Sequence, residues 1–442
     1  MNIRDLNADN LEKLNEQIAE HGLILKNATV ISHQRAQKTN LGINSEGQIA
    51  NFNPIDFSTK SAVLNAASLH IFPGLIDTHV HSRDGEQAYK EDWETISKAA
   101  SAGGVTTAFG MPNTKPLTDS AELLQNRFGF AAKSLINYSE FIGSLGDNDQ
   151  EILNSWVQQS AAGIKLYLNQ TTGGFTITTE KALHLAGRLA SKKIALKFVL
   201  HAEGDTLKQI AEPLLKLGHR VHVAHISLAE EVDLVHQLQQ KGYPITAEVT
   251  PHHLFISIEE MREKVRTDIC ELCEMKPPLS PKTDLPRLFQ GLKDGSIISL
   301  ATDHAPHTEE EKRQALAESK IVYGVPGVQE MLPLALTHLP PQGFSLQEIT
   351  ALTSANPARH FNLSKRGQLT ANSWGDLAIV DLQKTYQLGD QNHPIFSRCG
   401  WTLYQDWPVQ GEVVATVVNG RFAFANQQHS QQTFSTPVEF KR

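Results

Sequence analysis

Residues 71–84 read IFPGLIDTHVHSRD, and the reading of this stretch decides the fold. An apolar run ends in His79-Val80-His81, and a helix-like stretch, KEDWETISKAASAG (90–103), follows it. The same alternation continues to about residue 303. Further short apolar runs are VTTAFGM (105–111), NYSEFIG (137–143), IKLYL (164–168), IALKFVLH (194–201), VHVAHIS (221–227), PITAEVT (244–250) and SIISLATD (296–303). Helical patterns such as EKALHLAGRLASKK, DTLKQIAEPLLKLG and AEEVDLVHQLQQKG separate them, and several end in Gly, the usual residue just past a helix C-terminus. Strands buried on both faces read as near-continuous apolar runs. Eight of them alternating with helices is the number that closes a barrel, so the predicted class is α/β, a (β/α)8 TIM barrel over residues 71–365. The run 137–143 fits least well, because it is polar at its start.

The flanks read differently. LILKNATVIS (23–32), DLAIVDL (376–382), VVATVV (413–418) and RFAFA (421–425) look like strands, the last two joined by Asn419-Gly420, a strong hairpin-turn signal. Residues 22–70 and 366–430 are therefore expected to combine into a small β-rich companion domain built from both termini. A helical extension over 1–21 precedes it, its charged run a solvated face. The stretch NQQHSQQTFS (426–435) is expected to fray, and 431–442 is read as a polar tail.

The composition fits such a chain. Its 442 residues are 40% hydrophobic and 20% charged, which excludes a disordered or fibrous protein. Forty Lys and Arg against 48 Asp and Glu leave a net charge of −8, which argues against a nucleic-acid partner. Three cysteines, Cys270, Cys273 and Cys399, cannot form a disulfide framework, and no apolar run approaches the ~20 residues of a membrane helix. The start of the chain does not read as a secretory leader. The expectation is a soluble cytoplasmic protein with no membrane partner.

Active sites of such barrels form at the C-terminal ends of the strands. Run after run here ends in a polar residue: His79 and His81, then Asn113, Lys165, His201, His225, Glu248 and Asp303. Side chains at i and i+2 of a strand share a face, so both imidazoles of His79-Val80-His81 can reach one ion. His201 and His225 end adjacent predicted strands and make a second imidazole pair, although a single such His is more often a core residue. Imidazole ligands suit zinc without excluding other first-row divalent ions. Lys165 either snorkels to the rim or lies desolvated, where its neutral amine could react with CO2 to give a carbamate bridging two cations. Asp303 is either a helix cap or the acid that a metal-bound water needs. Two metals sharing a hydroxide can hydrolyse an amide without an enzyme nucleophile, and no competing nucleophile motif is present.

Taken in order, GLIDTHVHSRD, AGGVTTAFGMPNTKP, GIKLYLN, HAE, AHIS, AEVTPHHLF, ATDHAPH and GVPGVQEMLPL resemble the dihydroorotases of the amidohydrolase superfamily. The likeness is to the lysine-bridged form found in the animal pyrimidine-synthesis polyprotein, and it covers about residues 70–335. It implies zinc-dependent, reversible hydrolysis of (S)-dihydroorotate to N-carbamoyl-L-aspartate. His79 and His81 would bind a first zinc, His201 and His225 a second, and N6-carboxylated Lys165 and a hydroxide would bridge them. Asp303 would ligate the first zinc and act as general acid/base. Arg83, Asn113 and His307 would hold the substrate carboxylate, and the backbone at Pro326 and Gly327 would contact the ring. Thr171 and Thr172 would close over the substrate. Lys276 stands where relatives carry Arg or Asn near the substrate. Ala224 replaces a cysteine that in the animal form helps hold a further zinc, leaving Glu248 as a partner of a ligand instead.

Two other readings remain open. A hydantoinase or allantoinase shares the barrel and the His-x-His, though MPNT together with DHAPH separates the dihydroorotases from both. Inactive dihydroorotase-like chains assemble with aspartate transcarbamoylase, but they have typically lost metal ligands that are all retained here. A homodimer is the default expectation from superfamily habit. The Cys270-x-x-Cys273 pair is read as incidental, since a lone C-x-x-C is weak evidence for zinc.

Overall fold

The computed structural model describes residues 1–52, 57–171, 173–264 and 272–441. Eight parallel strand positions form the barrel: Leu75–Val80, Val105–Gly110, Asn137–Glu140 with Ile142–Gly143, Ile164–Tyr167, Lys197–His201, Arg220–Val223, Ile245–Val249 and Ile297–Leu300. Neighbouring strands pair in parallel, in chain order. The ring closes through a bridge between Val80 and His304, where the His81 N–H donates to the His304 carbonyl at 2.8 Å. Helices between the strands bury one face each against the sheet, for example Ile96, Ala99 and Ala100 in Trp93–Ala102 and Leu207, Ile210 and Leu214 in Gly204–Lys216.

The third strand, polar in sequence, is buried throughout and breaks at Phe141 between its two short pieces. Its polar side chains are satisfied by other layers. Asn137 donates to Asp376 and accepts from Asn419 (2.8 Å), and Glu140 accepts from the Trp93 indole N–H at 2.9 Å. Arg366 pairs with Asp376 in the same buried network. Polar residues at this position tie the barrel to its neighbour, which is why the strand lacks an apolar signature.

That neighbour is a nine-stranded sheet drawn from both ends of the chain. His70–Pro73 joins the halves: it pairs in parallel with Leu23–Ile31 and antiparallel with Leu377–Gln387. The chain then enters the barrel at Gly74, where a Cβ would lie 2.1 Å from the Thr106 hydroxyl, so only glycine permits the approach. The hairpin at Asn419-Gly420 has φ of 48° and 79°, the left-handed pair that a tight turn between twisted strands requires. Leu11, Leu14 and Ile18 of the helix Ala8–His21 complete the core of this sheet.

The stretch expected to fray is docked at its start, where Gln428–His429 pairs with Arg421–Ala425 and the Ser430 N–H donates to the Ala423 carbonyl at 3.0 Å, and the residues after it are held too. Pro437 bridges Tyr138 beside the third strand, Val438 is buried, and the Ser364 N–H donates to the Glu439 carbonyl. Val438 and Phe440 supply apolar contacts that the polar stretch before them conceals in sequence. Among the described residues, no helix is long and apolar enough to cross a membrane.

Candidate active site

The C-terminal mouth of the barrel collects the ionisable residues. His79 and His81 stand two apart at the end of the first strand and turn the same way. Asp77, two residues earlier, reaches the eighth strand, where the Thr302 N–H donates to it at 3.0 Å. This tether sets the following residue, Asp303, whose Oδ1 lies 3.3 Å from His79 Nε2 and 3.0 Å from His81 Nε2. One ligand atom from each of His79, His81 and Asp303 falls within 4.8 Å of the others. His201 Nδ1 lies 2.9 Å from His225 Nε2, and the His79 and His225 ring centroids are 5.0 Å apart, so both imidazole pairs face one space. Arg83, His225 and Asp303 carry positive φ (65°, 37° and 47°), a strained backbone for residues with a Cβ.

The outer nitrogens of three imidazoles are already engaged. His79 Nδ1 donates to Glu248 (2.7 Å), which also accepts from His222 Nε2 at 3.1 Å and the Thr78 hydroxyl at 2.6 Å. His81 Nδ1 donates to the Asn113 side-chain oxygen at 2.7 Å, and His201 Nε2 donates to the Gln170 carbonyl at 3.3 Å. Each bond fixes a tautomer with a lone pair facing inward, the form a cation requires. Burial and the nearby Lys165 push His79 down to about 4, and burial holds His81, His201 and His225 well below the usual histidine range. The site histidines are therefore neutral. Burial raises Asp303, opposed by His79 and Lys165. Burial would raise Glu248 too, but its hydrogen bonds from His222 and His79 hold it well below the ordinary range.

Lys165 is fully buried among these groups. Its Nζ has no hydrogen-bond partner among the described residues, and burial pushes its pKa down to about 8 against the pull of Glu248 and Asp303. A fully buried amine with no hydrogen-bond partner among the described residues, its Nζ 5.3 Å from the Tyr167 ring centroid, fits further chemistry at Nζ better than it fits a snorkelling lysine. The cluster of His79, His81 and Asp303 suits a divalent cation.

The cavity above them encloses about 20 Å3, room for about one water molecule. Arg83, Asn113, Thr171 and Lys276 line it. Lys276 Nζ sits 5.3 Å from the Tyr323 ring centroid. His307, Pro326 and Gly327 do not line it. His307 stands behind Arg83, with Nε2 3.0 Å from Nη2, and the Gly327 N–H is taken by His304 Nδ1 at 3.1 Å. Tyr167, Ala305, Tyr323 and Gly324 form wall that sequence reasoning missed. Tyr167 carried a signal, since it stands two residues from Lys165 on the same strand face. Thr172 and Cys270 lie outside the described residues, whereas Cys273 is buried in an apolar cluster with Met275 and Leu279.

A closed barrel with two histidine pairs, a buried lysine and an aspartate at its C-terminal mouth is the architecture of an amidohydrolase. The family model for the amidohydrolase family matches residues 70–423, and the chain belongs to that family. Within it, the chain is similar to dihydroorotases along nearly their whole length: it is 30% identical to that of Halalkalibacterium halodurans, over 92% of this chain and 99% of the relative. It is also 30% identical to the multifunctional protein pyr1-3 of Dictyostelium discoideum, over 84% of this chain but 15% of that protein. In fold it is similar to the L-hydantoinase (dihydropyrimidinase) of Arthrobacter aurescens, with a TM-score of 0.86 at 22% identity over 95% of this chain and 100% of that one.

Proposed function

We propose that the chain is a dihydroorotase, which hydrolyses the cyclic amide of (S)-dihydroorotate to N-carbamoyl-L-aspartate, and reverses the reaction, in de novo pyrimidine synthesis. The observation that carries this reading is the convergence of His79, His81, His201, His225 and Asp303 on one space walled by a buried arginine, with the buried Lys165 close enough to act electrostatically on all four imidazoles. His79, His81 and Asp303 would hold one zinc ion, and His201 and His225 a second. Lys165 would bridge them after its neutral amine adds to CO2 and loses a proton, giving a carbamate. Bound there, two divalent ions supply Lewis acidity toward the amide carbonyl and lower the pKa of water.

The chain's own residues do the rest. Arg83 offers its guanidinium to the substrate carboxylate: Nε is held by the Pro306 carbonyl at 3.2 Å and Nη2 by His307, which leaves the rest of the fork for the cavity. Asn113 presents its amide beside the same wall while its oxygen holds His81. Asp303 accepts the proton of the attacking water and delivers it to the ring nitrogen as the C–N bond breaks. Synthesis runs the same transfers in reverse.

The test is turnover by the purified, zinc-loaded chain. Hydrolysis of dihydroorotate with little activity on hydantoin or allantoin is expected. Turnover of hydantoin or allantoin alone would assign a different cyclic amide, and a metal-free, inactive chain that binds aspartate transcarbamoylase would replace the enzyme reading altogether.

A further inference from the structure

Behind Arg83 stand His307, Lys90 and Glu311, of which the chemistry above uses only the His307 contact. His307 is fully buried; its Nε2 faces Arg83 Nη2 at 3.0 Å and its Nδ1 lies 2.8 Å from Glu311 Oε2. Lys90, also buried, places Nζ 2.8 Å from Glu311 Oε1 and 3.1 Å from His307 Nδ1. The backbone of His307 is fixed as well, since its carbonyl accepts the Trp401 indole N–H at 2.7 Å.

We propose that Glu311 is a positioning residue for substrate recognition: it locks His307 in the tautomer that accepts a hydrogen bond from Arg83, and so aims the guanidinium into the cavity. A neutral imidazole has one N–H and one lone pair. Arginine can only donate, so His307 Nε2 must carry the lone pair and Nδ1 the proton. Glu311, an acceptor at 2.8 Å, fixes that choice. The opposite tautomer would set two N–H groups against each other across 3.0 Å and turn Arg83 away. Lys90 is a donor as well, but its hydrogens go to both Glu311 oxygens at 2.8 and 3.2 Å, so its ammonium, 3.1 Å from His307 Nδ1, needs no lone pair there; it neutralises Glu311 and keeps the carboxylate in place. The hydrogen bonds from His307 and Lys90 outweigh burial and hold Glu311 down at about 2, so it remains an acceptor across the working range. His307 thus serves the carboxylate site from behind the arginine.

This inference rests on the dihydroorotase reading for its substrate but not for its geometry, so two measurements separate them. Nitrogen-15 NMR of the histidine rings in the metal-free chain reports the tautomer without any substrate. The wild type should show His307 protonated at Nδ1, and Glu311→Ala should lose that preference. Glu311→Gln, whose amide oxygen still accepts, should keep it. In dihydroorotate hydrolysis, Glu311→Ala should raise KM about tenfold, the size of one misplaced charge-assisted hydrogen bond, with the loss on KM rather than kcat, and Glu311→Gln should recover most of it. Glu311 sits at the start of the helix Glu309–Ala317 with its side chain partly exposed, so both variants should fold. An unchanged tautomer in Glu311→Ala overturns the proposal, as does a loss confined to kcat. A changed tautomer in a chain that never turns over dihydroorotate would leave the relay standing and remove the substrate assignment.

Discussion

Replacing Lys165 by methionine should make the metal-free chain more stable while abolishing its function. The two side chains are similar in length, so the core position stays filled. What changes is the charge. An ammonium with an ordinary pKa near 10.5 when unfolded and about 8 when buried is held against its preference throughout the neutral range. A shift of that size costs the folded state roughly 3 kcal/mol at pH 7. Between pH 8 and about 10.5 the unfolded chain binds the proton and the folded chain does not, so wild-type stability rises with pH through this window. Below pH 8 the cost is present in full. Urea unfolding of chelator-stripped, bicarbonate-free protein should therefore place Lys165→Met roughly 3 kcal/mol above wild type at pH 7, the gain shrinking to nothing by about pH 10.5. With zinc and bicarbonate the order should invert, because ligands that bind only the folded wild type add their own stabilisation. A variant no more stable than wild type at pH 7, or a gain that does not change with pH, would refute the claim that Lys165 is a buried, unpaired amine.

Asp303→Asn removes the proton acceptor while keeping an oxygen near His79 and His81, and kcat for dihydroorotate should fall by about 10²- to 10⁴-fold, measured at saturating substrate and fixed zinc. Arg83→Lys keeps the charge but loses the fork that spans Pro306, His307 and the cavity. Its KM should rise roughly 10- to 100-fold with zinc content unchanged by metal analysis, and an unaltered KM would place carboxylate recognition elsewhere. Asp376→Ala strips the buried Arg366 of its partner and the Asn137 amide of an acceptor, so stability should drop by about 3–5 kcal/mol in urea unfolding, and a loss below about 1 kcal/mol would show that this junction is not energetically important.

Most of the site was legible because its residues stand at the ends of strands whose apolar runs are plain. His79-Val80-His81 shows two imidazoles on one face by spacing alone, and Asp303 closes the last run. Glu248, at the end of the seventh run, stands beside the first-strand histidines, and it accepts from His79 Nδ1 at 2.7 Å. What escaped is set by loops, where spacing carries no direction. His307 sits four residues beyond Asp303 in a loop, and its ring lies between Arg83 and Glu311 of the helix that follows rather than lining the cavity. Tyr323 and Gly324 reach the wall because Gly324 N–H donates to the Glu274 carbonyl at 2.9 Å and the buried Lys312 binds the Val322 carbonyl at 2.9 Å. No periodicity records a loop pinned by a lysine from a neighbouring helix. The polar third strand and the docked end of the chain were obscured for a related reason: Asn137, Asp376 and Asn419 are spread over nearly three hundred positions and acquire meaning only when brought together.

The central proposal is that Lys165 becomes a carboxylate bridge for two cations held by the histidine pairs. Carbon-13 NMR of the chain incubated with zinc and labelled bicarbonate tests it most directly, with zinc counted on the same sample. A carbamate carbon resonance in the wild type, absent from Lys165→Met, together with two zinc ions per chain, is the expected result. A wild-type chain that holds a single zinc ion and gives no carbamate resonance would contradict it.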